Sequence, residues 1–259
     1  IHASVRHLDI LYDKLVLTDK VAHAYSLGKE RVEDVMEMVK IAGGLSEEEF
    51  SAKPHMFTNI NSSSPLKHDW PMLDGAMRAA RRGQAIVVSP FTLAGAMAPV
   101  TLAGAIAQQN AEGLAAIALL QQVRAGTPVI YGAFTSNVDM KSGSPAFGTP
   151  EHLKMQLGAG QLARFIGLPW RSAAGSASNT ADAQGAHENI MGLWGAILAG
   201  ANMVIHGAGW LEGGLTFGFE KLICDVEALQ TMAEMFNRTS ADIEEQAYKA
   251  IKDLSLIHI

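Results

Sequence analysis

The sequence is poor in the residues that several functional classes require. Its 259 residues include one cysteine, Cys224, which excludes an internal disulfide and any cysteine-rich metal cage and is typical of a reducing compartment such as the cytoplasm. The nine histidines show no His-Glu-x-x-His spacing, so we expect no protein-bound metal. The one basic cluster is Arg78, Arg81 and Arg82 in a chain of net charge -6, which argues against a nucleic-acid partner. Apolar runs such as Leu114–Leu120 are far shorter than the roughly 20 residues of a membrane span, so we expect no membrane partner.

Both ends of the sequence suggest that it is an interior piece of a longer protein. It begins at Ile1 without a methionine, and its last six residues, Leu254–Ile259, look like a translated sequencing adapter rather than native sequence. We therefore expect one partial domain over residues 1–253 and a non-native tail over 254–259.

What the sequence contains is a repeated alternation of apolar runs, glycine-rich polar loops and helical segments. With 48% hydrophobic and 18% charged residues the chain can bury a core. The pattern predicts five β-loop-α units, with strands at His55–Ile60, Ala85–Ser89, Pro128–Gly132, Pro169–Ser172 and Met203–His206. It predicts helices at Lys29–Ile41, Pro71–Arg82, Val100–Ala125, Pro150–Gly167 and Asp182–Ala199, and a capped helix start at Ser46.

Two α/β architectures fit this alternation: an incomplete TIM (β/α)8 barrel and an open doubly wound sheet. No strand is followed directly by Gly-x-Gly-x-x-Gly at a helix start, so a dinucleotide site has no support. We favour the incomplete barrel, as a single domain because no composition break separates the units.

In a parallel barrel, the chemistry is carried by residues at the carboxyl ends of the strands and in the loops that follow them. Many of the few aromatic residues fall there, which suits a cationic ligand because ring faces attract positive charge. The candidates by position are Asn59, Asn61, Ser64, Ser89, Phe91, Tyr131, Phe134, Asp139, Phe147, Arg171, Asp182, His206, Trp210, Glu212 and Phe217.

Each candidate also has an ordinary structural interpretation. The aromatic rings could pack against the barrel rim, and Asp139 could cap a turn. Asp182, which Gln184 and Glu188 follow, could have the purely structural role of capping a helix and compensating its dipole. His206 could be a core histidine.

Several motifs together resemble the trimethylamine:corrinoid methyltransferase family. They are Ser64-Pro65-Leu66, Ala94-Gly95-Ala96 with Pro99–Leu102, Asn110-Ala111-Glu112, Asp139–Gly143, Gly148–Glu151, Asp182–Glu188 and Ala208–Leu215, and they extend over roughly Ser64 to Glu227. The resemblance implies a TIM barrel and methyl transfer from a methylated amine to the cobalt of a separate corrinoid protein. The corrinoid (cobalamin) would be carried by that partner, and we also expect a homo-oligomer.

The sequence departs from the archaeal trimethylamine enzymes, which carry pyrrolysine in the barrel, because it has only standard residues. A tertiary amine is a poor leaving group unless its nitrogen is activated, whereas a quaternary ammonium already leaves as a neutral amine. We therefore expect a quaternary or tertiary methylamine substrate, above all one of the glycine betaine kind.

The resemblance leads to a specific assignment of roles. We assign Tyr131, Phe134 and Trp210 to an aromatic cage, Asp139 and Arg171 to substrate binding, with Arg171 for a carboxylate, and Asp182, Gln184, Glu188 and His206 to polar orientation at the catalytic centre. Two other functions remain open: a barrel lyase or aldolase with a lysine Schiff base, and a protein that binds a quaternary amine without turning it over.

Overall fold

The computed structural model describes residues 2–239 and 244–254, so residues 255–259 of the expected adapter tail lie outside the described residues. Its main feature is one parallel sheet in which the strands lie side by side in chain order. The strands are β1 (Ala22–Tyr25), β2 (Met56–Ile60), β3 (Ala85–Val88), β4 (Val129–Gly132), β5 (Trp170–Ala173) and β6 (Met203–Ile205). The sheet curls into half of a barrel, which confirms the predicted incomplete TIM barrel.

Helices alternate with these strands. They are α1 (Arg6–Leu17), α2 (Lys29–Gly43), α3 (Glu47–Ala52), α4 (Trp70–Arg81), α5 (Leu102–Val123), α6 (Pro150–Ile166), α7 (Ala183–Leu198), α8 (Phe219–Met235) and α9 (Glu244–Asp253). Consecutive long helices from α4 to α8 contact one another, as α1 does α2 and α2 does α4. Because the strand order never reverses, the sheet has no switch point, which distinguishes it from a doubly wound sheet.

Local signals set several helix ends as the sequence predicts. Ser46 caps α3 in a reciprocal capping box with Glu49. Thr149 caps α6 through the amide of His152, and Pro150 occupies the first helical position. The helix ends at Gly167, whose φ of 78° is the left-handed conformation that favours glycine.

The two faces of the sheet have different characters. Ile86, Val88 and Trp170 belong to the core cluster between the sheet and its helices. Side chains alternate between faces along a strand, so Arg171 and Asn59 project to the inner side. The inner side therefore carries Arg171 and Asn59, whereas Ile86, Val88 and Trp170 pack under the helices on the outer side.

Short strand pairs shape the loops at the carboxyl edge of the sheet. One small sheet joins Leu93–Ala94, Ser136–Val138 and Pro145–Ala146, and an antiparallel pair joins Trp210–Leu211 to Thr216–Phe217 around the turn Glu212–Gly214. Among the described residues, no helix has the length and apolar character needed to cross a bilayer.

Candidate functional site

A cavity of about 570 Å³ lies at the carboxyl ends of the strands. It is formed where the end of β1 and the loops after β2, β3, β4 and β6 come together, the position at which barrels carry their chemistry. Its lining comprises Tyr25, Asn61, Phe91, Phe134, His206, Ala208, Trp210 and residues 214–217. Most of its wall is therefore aromatic.

Phe134 lies at the centre of the aromatic wall. Its ring stacks at centroid distances of 5.1 Å on each of Phe91, Phe147 and Trp210. Phe134 is buried, whereas Phe217, which pairs with Trp210 in the short antiparallel strands, is half exposed at the rim. The rings thus form a fixed wall with a more accessible edge.

Glycines allow the Trp210 ring to lie against the backbone. A Cβ atom on Gly214 would come within 2.2 Å of the indole, and one on Gly175 within 3.0 Å. Both glycines have positive φ, at 100° and 150°, where an L side chain is strained. The indole is therefore held between two segments of backbone that can approach only because they lack side chains.

His206 lies against the same wall. Its imidazole packs edge-on to Trp210 with centroids 3.9 Å apart, and it lies 5.4 Å from the ring of Phe134. Burial, together with the positive charge of Arg171, lowers the pKa of His206 to about 3. The imidazole is therefore neutral over the physiological pH range.

Arg171 extends from β5 behind this wall and is 2% exposed. Its Nη1 donates to Ser89 Oγ at 2.6 Å and to the carbonyl oxygen of Ala133 at 3.3 Å, and its guanidinium carbon lies 5.9 Å from the centroid of the Phe134 ring. Burial lowers the pKa of Arg171 to about 10, so it still carries its charge at neutral pH. The side chain brings one positive charge close to the cavity.

That charge has no acidic partner in the part of the chain that the structure describes. Arg171 forms no ion pair there, and its Nε has no hydrogen-bond acceptor. The cavity lining includes no Asp or Glu. A ligand with an anionic group would therefore complete the electrostatics of the site.

The predicted polar residues of α7 build the loop between β5 and α7. Asp182 caps the helix through the amide of Gly185, and it accepts a bond from the hydroxyl of Ser178. Glu188 accepts bonds from the amides of residues 177 and 178, while Gln184 donates to its other oxygen at 2.8 Å. None of these three carboxylate or amide side chains lines the cavity, so their catalytic role stays a prediction.

Two further candidates lie away from the cavity. Asp139 is exposed and accepts bonds from the amides of Lys141 and Ser142, which is the turn-capping arrangement. Tyr131 is buried on the outer face of β4, where its hydroxyl bonds to Gln109 and Asn110 of α5. The structure therefore gathers Phe134, Arg171, His206 and Trp210 of the predicted site, and it places Asp139 and Tyr131 elsewhere.

Sequence reasoning missed Tyr25, which lines the cavity from the end of β1. That strand was not among the five predicted, and the structure adds it as a sixth. The available signal was a short extended segment, residues 22–25, in front of the glycine that precedes α2. Within the described residues no group of three or more His, Cys, Asp or Glu side chains could hold a metal ion.

Comparison with known proteins gives matches over almost the whole chain. A model described as trimethylamine methyltransferase (MTTB) matches residues 1–256. The chain is 39% identical to glycine betaine methyltransferase of Desulfitobacterium hafniense (strain Y51) over 249 residues, which are 96% of this chain and 52% of that protein. It is 32% identical to trimethylamine methyltransferase MttB of Methanosarcina thermophila over 247 residues, which are 95% of this chain and 51% of that protein. The chain thus spans about half the length of the curated relatives that it matches.

Proposed function

Because the chain belongs to the trimethylamine methyltransferase (MTTB) family, we propose that it moves a methyl group from a quaternary or tertiary methylamine to the cobalt of a separate corrinoid protein. We propose glycine betaine, or a compound of that kind, as the methyl donor. The observation that carries this proposal is the aromatic cavity of about 570 Å³ at the carboxyl edge of the sheet.

The cavity suits a trimethylammonium group. Such a group has no N–H to donate, so it is recognised by ring faces and by apolar contact rather than by hydrogen bonds. Phe91, Phe134, Trp210 and Phe217 supply the rings. Each cation–π contact in a desolvated cage contributes up to about 2 kcal/mol.

The opposite end of the donor is matched by Arg171 and His206. A carboxylate is the anionic group that glycine betaine carries, and a buried guanidinium without an acidic partner attracts it. Asn61, which also lines the cavity, adds an amide. A zwitterion is therefore favoured over a donor that carries only the positive charge.

The chain's residues bind and orient the donor and exclude water. A corrinoid, when its carrier protein presents it, supplies a reduced cobalt nucleophile. Leu215 and Phe217 leave exposed apolar surface at the cavity rim, at 86% and 54% exposure, and would contact that corrinoid. The aromatic wall would hold the ammonium with one methyl group towards the mouth. When the C–N bond of a quaternary donor breaks, its electron pair stays on nitrogen and a neutral tertiary amine leaves without a proton. The loop over residues 174–182 is held by Asp182, Gln184 and Glu188. We assign these residues the role of orienting the site's polar groups by fixing this loop.

Methyl transfer to free reduced cobalamin tests the proposal. We expect the complete protein to demethylate glycine betaine, and Phe134→Ala to lower kcat/KM by roughly 10-fold or more because it removes the central ring of the wall. Phe165→Ala is the matched control, since that ring is 89% exposed on α6, outside the cavity. Absence of transfer from every methylated amine tested, with and without a corrinoid protein, would contradict the proposal.

The same assay separates two other functions. A lysine Schiff base needs a lysine at a strand end, and none of the six described strands ends in one; borohydride trapping should therefore leave no adduct. A protein that only binds a quaternary amine would give calorimetric binding without product. We also propose that the protein is cytoplasmic and homo-oligomeric, the latter testable by light scattering.

A further inference from the structure

His206 occupies an unusual backbone position directly after β6. Its φ is 65°, in the left-handed region that is unfavourable for a side chain with a Cβ atom. Strain of this kind persists only where surrounding contacts fix it, and it is often found at functional sites. Here the contacts are the rings of Trp210 and Phe134, which lie on the imidazole at 3.9 and 5.4 Å between centroids.

Among the described residues, the hydrogen-bond partner of this imidazole is a donor. Arg171 Nη2 lies 3.5 Å from His206 Nδ1, and a guanidinium has five N–H donors and no acceptor. The guanidinium is itself held by Ser89 and by the carbonyl of Ala133. With Arg171 Nη2 as the donor, Nδ1 is the acceptor, and this arrangement favours the ring proton on Nε2.

The surroundings disfavour a second ring proton. Burial, and after it the positive charge of Arg171, keeps the pKa of His206 low, and burial likewise lowers the pKa of His23 to about 4. No Asp or Glu side chain is recorded within hydrogen-bonding distance of His206 in the described ranges, so no carboxylate there would stabilise an imidazolium.

We propose that Arg171 is a positioning residue that fixes His206 as the neutral Nε2–H tautomer, and that this Nε2–H donates to the carboxylate of a zwitterionic methylated amine in the cavity. The proposal rests on the function proposed above and adds the group that selects the anionic end of the donor.

The choice of tautomer has a chemical consequence. A neutral imidazole gives a directional donor without placing a new positive charge next to the trimethylammonium group. A protonated His206 would repel that group, and a proton on Nδ1 would set two donors against each other at Arg171. The neutral Nε2–H tautomer thus donates to the carboxylate of the zwitterion and does not repel its trimethylammonium group.

Nitrogen-15 NMR of the full chain, labelled at histidine and free of ligand, tests the tautomer directly. His152 is an internal reference, because its Nδ1 accepts from the amide of Gly148 at 3.2 Å, away from the cavity. We expect both residues to show the Nε2–H tautomer at pH 7. In Arg171→Met, the Nδ1–H form should become measurable at His206 but not at His152. Should Arg171→Met fail to fold, the tautomer of His206 is tested in the wild type and in Arg171→Lys instead. Lysine keeps the charge of Arg171 but lacks the planar guanidinium group.

Ligand binding tests the second half of the proposal. Glycine betaine and choline share the trimethylammonium group and differ in the carboxylate. In His206→Gln the side-chain amide can reach the place of Nε2, whereas in His206→Asn it reaches only the place of Nδ1. We expect His206→Asn and Arg171→Met to weaken binding of glycine betaine by roughly 10- to 100-fold while changing choline binding little, and His206→Gln to retain most of the preference.

A proton on Nδ1 of His206, an imidazolium at pH 7, or an unchanged preference for glycine betaine in both His206→Asn and Arg171→Met would overturn the proposal. The tautomer is measured without turnover, so this failure is distinct from failure of the methyl-transfer assay. A protein that transfers methyl groups but shows the other tautomer would leave the proposed function intact.

Discussion

The hydroxyl of Ser64 donates a hydrogen bond to the buried carboxylate of Glu112 across 2.7 Å, joining the loop after β2 to the middle of α5. Ser62, the amide of Leu66 and the side chain of Gln108 donate to the same carboxylate. This loop begins at Asn61, which lines the cavity. One glutamate on an outer helix therefore fixes one side of the site.

Glu112→Ala should destabilise the protein because it leaves several buried donors without an acceptor. We expect a loss of about 1–3 kcal/mol in the free energy of unfolding, measured by urea denaturation. Glu227→Ala, on the exposed face of α8, is the matched control and should change the free energy by less than about 0.5 kcal/mol. Equal losses for the two variants would show that the loop does not depend on Glu112.

Gly214→Ala should displace the Trp210 indole, since the added Cβ would lie 2.2 Å from the ring. We expect a changed tryptophan emission spectrum and weaker binding of trimethylammonium ligands. Gly143→Ala is the control: its φ of 75° gives comparable backbone strain, but nothing lies within 4 Å of the new Cβ. If both variants altered the emission equally, backbone strain rather than the ring contact would be the cause.

Asp182→Ala separates a capping role from a catalytic one. Loss of the bond to the amide of Gly185 should cost about 1 kcal/mol of stability. Asp182→Ser can still cap the helix, so we expect it to recover most of that stability and, if Asp182 acts through the loop, most of the activity as well. A variant that is stable yet inactive would instead indicate direct contact with the donor.

Lys221 and Asp225 form an ion pair on α8 that is 1% and 2% exposed, and Asp225 also accepts from the amide of Gly209 at 2.9 Å. Lys221→Met leaves a buried carboxylate without its partner, and we expect a loss of about 3–5 kcal/mol in unfolding free energy. The double variant Lys221→Met with Asp225→Asn should be more stable than the sum of the single losses predicts, because it removes both charges. Additive losses in the double-mutant cycle would contradict the coupling.

The buried histidines predict how stability depends on pH. Burial lowers the pKa of His23 and of His152 to about 4 and that of His206 to about 3, all below the unfolded value of about 6.5. Between pH 6.5 and 4 the unfolded chain binds protons that the folded chain does not, so stability is complete above pH 6.5 and falls as the pH decreases. Each histidine contributes a slope of up to about 1.4 kcal/mol per pH unit.

The variant His152→Asn keeps an acceptor near Nδ1 and removes the titrating ring. It should therefore reduce the slope of stability against pH by up to about 1.4 kcal/mol per pH unit. Urea denaturation at a series of pH values measures it. A slope that is unchanged in the variant would mean that His152 titrates alike in both states.

Local periodicity accounts for the success of the sequence analysis with the elements. The predicted strand Ala85–Ser89 was observed as Ala85–Val88, and the caps at Ser46 and Thr149 lie where the residue types require them. Strand β1 escaped prediction because its residues alternate alanine with a histidine and a tyrosine, so it lacks the apolar run that marks Ala85–Val88. A strand of this length is identified by its neighbour, β2, rather than by its own pattern.

Which face a strand residue occupies was harder to predict. Tyr131 lies against the helices and Arg171 on the inner side, although both come near the carboxyl end of a strand. Strands of a parallel sheet are buried on both faces, so they lack the polar and apolar alternation that reveals the register in other sheets.

The order of strands and helices, the helix caps and the aromatic character of the loops were determined by the sequence itself, because each depends on residues within a few positions of one another. Only the tertiary structure decided that Arg171 and His206, 35 residues apart, meet behind a shared ring, and that Asp182 and Glu188 are used to hold a loop. Those contacts depend on how neighbouring strands are registered and how the sheet curls, and no local pattern encodes either.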